Sequence, residues 1–490
     1  MKRTILSFFH FLIFTFFAAA QKDAPSPIGP LPLAKQVEWQ KMETYAFVHY
    51  GLNTFNDSEW GYGDADPKTF NPSRMDVEQW VRTFKLAGMK GVIIVAKHHD
   101  GFTMWPSPLT DYNITRSSYD GPKNKDGKVD VLAELRKACD KYGLKMGIYL
   151  SPWDRNHAEY GRQAYVDYYH KQLTDLVTNY GPLFEVWLDG ANGGDGYYDG
   201  AREKRKIDRR NYYNYPKIHA IIEEHQPQAI IFSDGGPGCR WVGNEKGKAG
   251  IPNWSFLRGK EVYPGYPKGK ELETGHPDGD TWIPAECDVS IRPGWFYHPE
   301  EDSKVKTAEE LAELYYKSVG RNATLLLNFP IDREGRVNTI DSTNAVRFRQ
   351  IIDEDMKTDL LRKAKVTASS ERGKKFSAKK LNDGKWDTYW ATPDGEDTGS
   401  VTFTFTKPTK VNQLLLQEYI PLGQRVGKFV VEALIDGKWS AVDPGEAFGN
   451  IGYKRIIRFA TVEATVLRIS FTESRGPLCI NNIEAYCTNR

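Results

Sequence analysis

At 490 residues the chain is too long for one ordinary domain, and a net charge of +2 with no long basic run outside residues 202–210 gives no nucleic-acid footprint. Aromatic residues make up 13% of the chain, with 13 Trp and 26 Tyr, which suits both a large core and flat sugar-binding faces. Five cysteines exclude a disulfide framework, although Cys479 and Cys487 near the C-terminus are placed so that they could pair.

Residues 1–20 read as an export signal: Lys2 and Arg3, an apolar stretch over 5–17, and Ala18-Ala19-Ala20 before Gln21. The expected location is therefore periplasmic or extracellular. No Cys follows the apolar stretch to take a lipid anchor, and no later segment has the roughly 18 uninterrupted apolar residues of a membrane span.

From residue 43 to about 355, short apolar runs alternate with amphipathic segments. The runs are TYAFVHYG (44–51), GVIIVAKHHDG (91–101), LKMGIYLSPWD (144–154), LFEVWLDG (183–190), AIIFSDGG (229–236) and TLLLNFPID (324–332). Helical periodicity occupies 73–87, 129–142, 162–180, 212–225 and 307–320. Strand, helix, strand at this spacing predicts a parallel sheet with right-handed crossovers. The first run ends in HYGLNTF without a glycine-rich phosphate turn, while several runs end in polar residues. A TIM-like (β/α) barrel over 21–356 fits this better than a doubly wound sheet, and its chemistry would sit at the C-terminal ends of the strands. After about 357 the pattern becomes alternating, turn-punctuated strands, which predicts a β-sandwich over 357–490.

Asp189 ends the run LFEVWLDG. It can serve as the nucleophile of a retaining glycosidase or cap the following turn. His98 and His99 end another run, where both rings can turn toward the barrel mouth. HHD lacks the i, i+4 spacing of a helical zinc site and has no Cys cluster beside it, so hydrogen bonding to a polar ligand is expected and no metal is assigned.

In this order, HYGLNTF, SEWG, AKHHDGF, YLSPWD and EVWLDG resemble glycoside hydrolase family 29, the α-L-fucosidases, over residues 30–355. The resemblance implies that Asp189 is the nucleophile. It places His49, Glu59, Trp60, His98, His99 and Tyr149 on the fucose hydroxyls and Trp187 against the sugar. Two glutamates compete for acid/base. Glu245 lies in RWVGNEKG and Glu286 in IPAECDVSIRPGWFYH, stretches similar to the subgroup that cleaves α-1,3 and α-1,4 branches; Glu245 is preferred. The second stretch also brings Arg292 and Trp295 to the expected site. One departure from the subgroup pattern is Lys246, an ammonium beside Glu245 that would lower a carboxyl pKa unless it points away.

The C-terminal part, through KVTASS, LNDGKWDTYWAT and LRISFTES, resembles discoidin-like (coagulation factor type C) carbohydrate-binding modules. Such modules often hold a structural calcium ion and bind galactose-type sugars, or serve only as packing partners, with Trp386 and Trp390 expected in the core. The resulting expectation is a secreted retaining fucosidase for branched α-1,3/1,4-fucosylated glycans or glycoconjugates, needing no cofactor for its chemistry. A broad-specificity fucosidase, a glycosidase for another sugar and a decayed fucose-binding protein are the alternatives.

Overall fold

The computed structural model describes residues 23–489; the expected export signal lies outside them. Eight parallel strands close into a barrel in sequential order: β1 (Thr44–His49), β2 (Gly91–Lys97), β3 (Lys145–Leu150), β4 (Leu183–Trp187), β5 (Ile230–Ser233), β6 (Cys239–Trp241), β7 (Ala285–Ser290) and β8 (Ala323–Pro330). Helices Val77–Leu86, Val131–Tyr142, Gln163–Asn179, Tyr215–His225 and Ala308–Ser318 match the five periodic segments, and a sixth, Thr339–Asp355, follows β8. Every residue of β1, β2 and β4 is buried, as expected for strands covered by helices outside and by packed side chains within. β4 ends at Trp187, so Asp189 lies in the following loop and not in the strand.

Strands β6 and β7 have no counterpart among the six apolar runs. β6 is three residues long and follows β5 after the turn 234–238, with no helix between them. Glycine makes this turn feasible: Gly236 has φ +94°, and a Cβ on Gly238 would lie 2.5 Å from Ile231 N. The excursion from β6 to β7 carries Glu245 close to its start.

The C-terminal sandwich is built on two long antiparallel strands, Gly399–Glu418 and Arg455–Ser474, with Val426–Ile435 and Cys479–Tyr486 beside them. Trp390 is in its core, whereas Trp386 packs on Tyr453 and under the Lys41 ammonium at the border with the barrel. Cys479 and Cys487 are not bridged. Cys479 is buried with its thiol toward Pro477 O, Cys487 is exposed, and both are free.

The sandwich packs on the barrel end opposite the strand C-termini. Glu43, just before β1, accepts bonds from Tyr315 and Tyr453 hydroxyls (2.8 Å each) and pairs with Lys454; Asn322, just before β8, accepts the Tyr453 N–H at 2.7 Å. In the 381–388 turn the Asp383 carboxylate accepts the Lys385 N–H (2.9 Å) and the Thr388 hydroxyl (2.7 Å), with Lys380 Nζ at 3.7 Å.

Candidate active site

The strand C-termini bring His49, His98, His99, Tyr149, Asp189 and, from neighbouring loops, Trp60, Glu245 and Trp295 to one mouth. Asp189 is held at both oxygens: Oδ1 accepts the Ala191 N–H at 2.6 Å and Oδ2 accepts the Tyr149 hydroxyl at 2.8 Å. Burial raises its pKa, and these two donors oppose the rise by favouring the ionised form. Tyr149 lies nearly parallel to Trp187 (centroids 5.2 Å apart, 23°), which stacks on Phe232 at 3.9 Å. Trp187 is only 6% exposed, so it forms the floor beneath Asp189 more than an open sugar platform.

The three histidines are neutral. Burial pushes His49 and His99 down to about 3 and His98 well below its usual value. Their tautomers follow from their partners. Asn328 donates through Nδ2 to Ser290 Oγ and Trp295 O, so its Oδ1 accepts the His49 Nδ1–H at 2.8 Å. Ser151 donates to Trp153 O and accepts the His99 Nδ1–H at 2.7 Å. His99 Nε2 is left as an acceptor 3.8 Å from Asp189 Oδ2, too far for a bond between them and open to the proton of a sugar hydroxyl. Trp60, 51% exposed, stands edge-on to His99 and Trp153, and Arg155 pins its backbone through bonds to Trp60 O and Gly61 O.

Glu245 faces this group from the β6–β7 excursion. Its Oε2 accepts the Trp295 indole N–H at 3.3 Å. Desolvation raises its pKa; the Trp295 bond opposes this, and the Asp189 and Glu59 charges add to it. Lys246 is exposed, its backbone N–H bonded to Asn244 Oδ1, and its ammonium is not among the groups acting on Glu245.

Two expected ligand residues are elsewhere. Glu286 is fully buried inside the barrel, accepting the Trp187 Nε1–H at 2.8 Å and the Tyr45 hydroxyl, beside the buried Glu185. It supports the floor from below and is out of reach of a sugar. Arg292 is likewise fully buried, paired with Asp341 (2.8 Å through both Nε and Nη2) and Asp302. Glu59 is at the mouth, but both its oxygens are bonded to segment 295–298. The sequence reading missed Asn328, His298 and Asp288. Asp288 is buried, bonded to Trp241 Nε1 at 2.9 Å, and its pKa is raised first by burial and then by Glu245 and Glu286. It also missed the weight of Asp234, whose buried carboxyl is pushed up to about 7 despite the Gly265 N–H.

Similarity to known proteins agrees with this geometry. A family model described as Alpha-L-fucosidase matches residues 7–350, and one described as F5/8 type C domain matches 365–485. The chain is 38% identical over 472 residues to Alpha-L-fucosidase 1 of Arabidopsis thaliana, spanning 95% of this chain and 89% of that protein. A glycoside hydrolase 29 family member from an unknown rumen bacterium superposes with TM-score 0.84 at 44% identity, over 95% of this chain and 78% of that one. The Ruminococcus gnavus GH29 fucosidase in complex with fucose does so with TM-score 0.84 at 33% identity, over 96% and 97%.

Proposed function

The chain belongs to the α-L-fucosidase family, glycoside hydrolase family 29, and acts by its retaining mechanism; we propose that Asp189 is the nucleophile, Glu245 the acid/base, and branched α-1,3/1,4-fucosylated glycans the substrates. In the first half-reaction an Asp189 oxygen attacks the anomeric carbon while Glu245 protonates the departing oxygen. In the second, the same carboxylate, now ionised, takes a proton from water, which displaces Asp189. The protonation states suit these roles. Asp189 carries two donors that favour its anion, whereas the pKa of Glu245, exposed at the rim of the mouth, is raised by partial shielding from water and by the Asp189 and Glu59 charges, the direction a general acid needs. Neutral imidazoles at His49 and His99 offer acceptors to sugar hydroxyls, and His98, whose Nδ1 faces the Asn53 amide, offers an Nε2–H donor, none of them adding charge beside the oxocarbenium-like transition state.

The observation that carries the reading is Asp189 at the barrel mouth, gripped by Tyr149 and Ala191, with Glu245 reaching the same mouth through Trp295. Asp189→Ala should lose several orders of magnitude in turnover, and added azide should restore part of it with release of β-fucosyl azide. Near-normal activity in the variant would remove the assignment.

The linkage preference is supported by the position of Glu245 on the RWVGNEKG loop, outside the group that holds fucose. Binding energy from a galactose on the branch would order that loop in the transition state. A branched trisaccharide should then be cleaved much faster than an α-1,2-linked or simple aryl fucoside; equal rates would indicate a broad-specificity enzyme. Export is supported by residues 1–20, and a mature secreted chain beginning at Gln21 would bear it out.

A further inference from the structure

Segment 293–298 closes one side of the mouth, carrying Trp295 beside His49 and Phe296 against His49 and His98. The barrel holds it from within: Ser290 Oγ donates to Gly294 O at 2.7 Å and Asn328 Nδ2 to Trp295 O at 2.9 Å. From outside it is held by two carboxylates: Glu301 Oε2 accepts the Gly294 N–H at 3.0 Å, and Glu59 takes the two amides that follow. Glu59 Oε2 accepts the Trp295 N–H at 2.8 Å, and Oε1 accepts the Phe296 N–H at 3.1 Å and His298 Nε2–H at 2.7 Å. A Cβ on Gly294 would lie 2.5 Å from Glu59 Oε1, so only glycine permits this approach without a shift. The other ring nitrogen, Nδ1, faces Asp57 Oδ1 at 2.8 Å. Ionised carboxylates only accept, so a ring satisfied at both nitrogens donates from both and is an imidazolium.

We propose that His298 is a positioning residue: bridging Asp57 and Glu59, its imidazolium clamps segment 294–296 so that the Trp295 indole N–H meets Glu245. The inference rests on the reading of Glu245 as acid/base. A neutral His298 can donate to only one carboxylate; the other then faces a lone pair, and Glu59 loses the charge that fixes it under the Trp295 and Phe296 amides. The charged groups facing the ring are Asp57 and Glu59 from segment 57–59, Glu300 from its own turn, and Arg333, which reaches Asp57 at 3.4 Å. Partial burial opposes the charge on His298, but the two carboxylates outweigh it and its pKa is raised. Raised in the folded state, the group contributes fully below its ordinary value of 6.5, and the contribution is lost as pH rises through the folded value. The clamp is therefore closed in the acidic to neutral range, where a protonated Glu245 is needed.

The test uses the full-length enzyme and His298→Gln, with hydrogen exchange at the Trp295 and Phe296 amides across pH and kcat/KM on a fucosyl-sugar and on an aryl fucoside with a good leaving group. The wild type should show protection that falls as pH rises past neutrality, and the variant fast exchange at every pH without that transition. The variant should lose about tenfold or more on the fucosyl-sugar, a part of the 10²–10⁴ that a general acid supplies, and little on the aryl fucoside. Equal protection in the two proteins, or an equal loss on both substrates with a lowered Tm, would overturn the proposal. Glu245→Gln run alongside separates the two readings: if it shows no leaving-group dependence the acid/base assignment fails, while the exchange data still decide the clamp.

Discussion

Tyr149→Phe isolates one contact at the proposed nucleophile. The substitution keeps the ring that stacks on Trp187 and removes only the hydroxyl that donates to Asp189 Oδ2 at 2.8 Å. A hydrogen bond to a charged group contributes about 1.5–3 kcal/mol, and one pKa unit corresponds to about 1.4 kcal/mol, so full loss would move Asp189 by about 1–2 units. The Asp189 side chain is 21% exposed, and water entering the vacated place recovers part of that, which leaves about 1 unit. The direction is fixed: the bond favours the anion, so its removal raises a pKa that burial has already raised. Because the nucleophile must be ionised, the acid limb of kcat/KM should move to higher pH by about 1 unit, with a fall approaching about tenfold well down the limb and a smaller one on the plateau. The assay is a pH profile of kcat/KM on an aryl fucoside for both proteins. An unmoved limb, or one displaced to lower pH, would refute the reasoning that the phenol stabilises the ionised nucleophile.

Glu245→Gln should slow release of a sugar far more than release of a phenol of low pKa, and with the phenol a burst should precede slow turnover as the fucosyl-enzyme accumulates. Glu286→Ala strands the Trp187 and Tyr45 donors in the barrel core; at about 1–3 kcal/mol each it should cost about 2–6 kcal/mol and lower Tm, with KM nearly unchanged because no sugar is touched. Arg292→Ala leaves Asp341 buried without its partner and should cost about 3–5 kcal/mol in denaturant unfolding, again without a KM effect. At Glu43, burial works to raise the pKa but Lys454 and two tyrosine hydroxyls outweigh it, and the value is lowered. A lowered carboxyl contributes stability above its ordinary value that is lost as pH falls, so proteolysis near 450–455 should accelerate in acid, and Glu43→Gln should abolish that acceleration.

How far the fold could be read depended on which face of a strand is apolar. β1, β2, β3, β4, β5 and β8 were legible because both their faces carry mostly apolar residues. β7 was not: its outward residues Cys287 and Val289 pack on the shell, while its inward ones are Glu286 and Asp288. An inward face made polar by the site reads like a loop. β6 was hidden for another reason, since three residues reached through a five-residue glycine turn carry no period at all.

The site was legible where strands end and illegible in depth. Successive residues on one face of a strand are about 6.6 Å apart, so an inward residue two places before the end lies one layer below the mouth. Glu286 is four residues before the end of β7 at Ser290, and Tyr45 four before the end of β1 at His49; both belong to the same deep layer and are bonded to each other. Glu185 lies beside them although it is only two places before the end of β4, because that short strand stops deeper in the barrel, where its last residue Trp187 rests on Glu286 and Asp189 follows in the loop. Glu286 was thus on the correct face at the wrong depth. Its motif neighbours could not reveal this, because adjacency in sequence records which strand a residue is on, whereas reach toward a sugar is set by its distance from the strand's last residue. By the same rule Asn328, two places before the end of β8, is too deep to be a first choice for a ligand, yet deep enough to fix His49 and Trp295 together. Residues that orient catalytic groups are therefore found one layer down from those groups, where a linear motif has no reason to mark them.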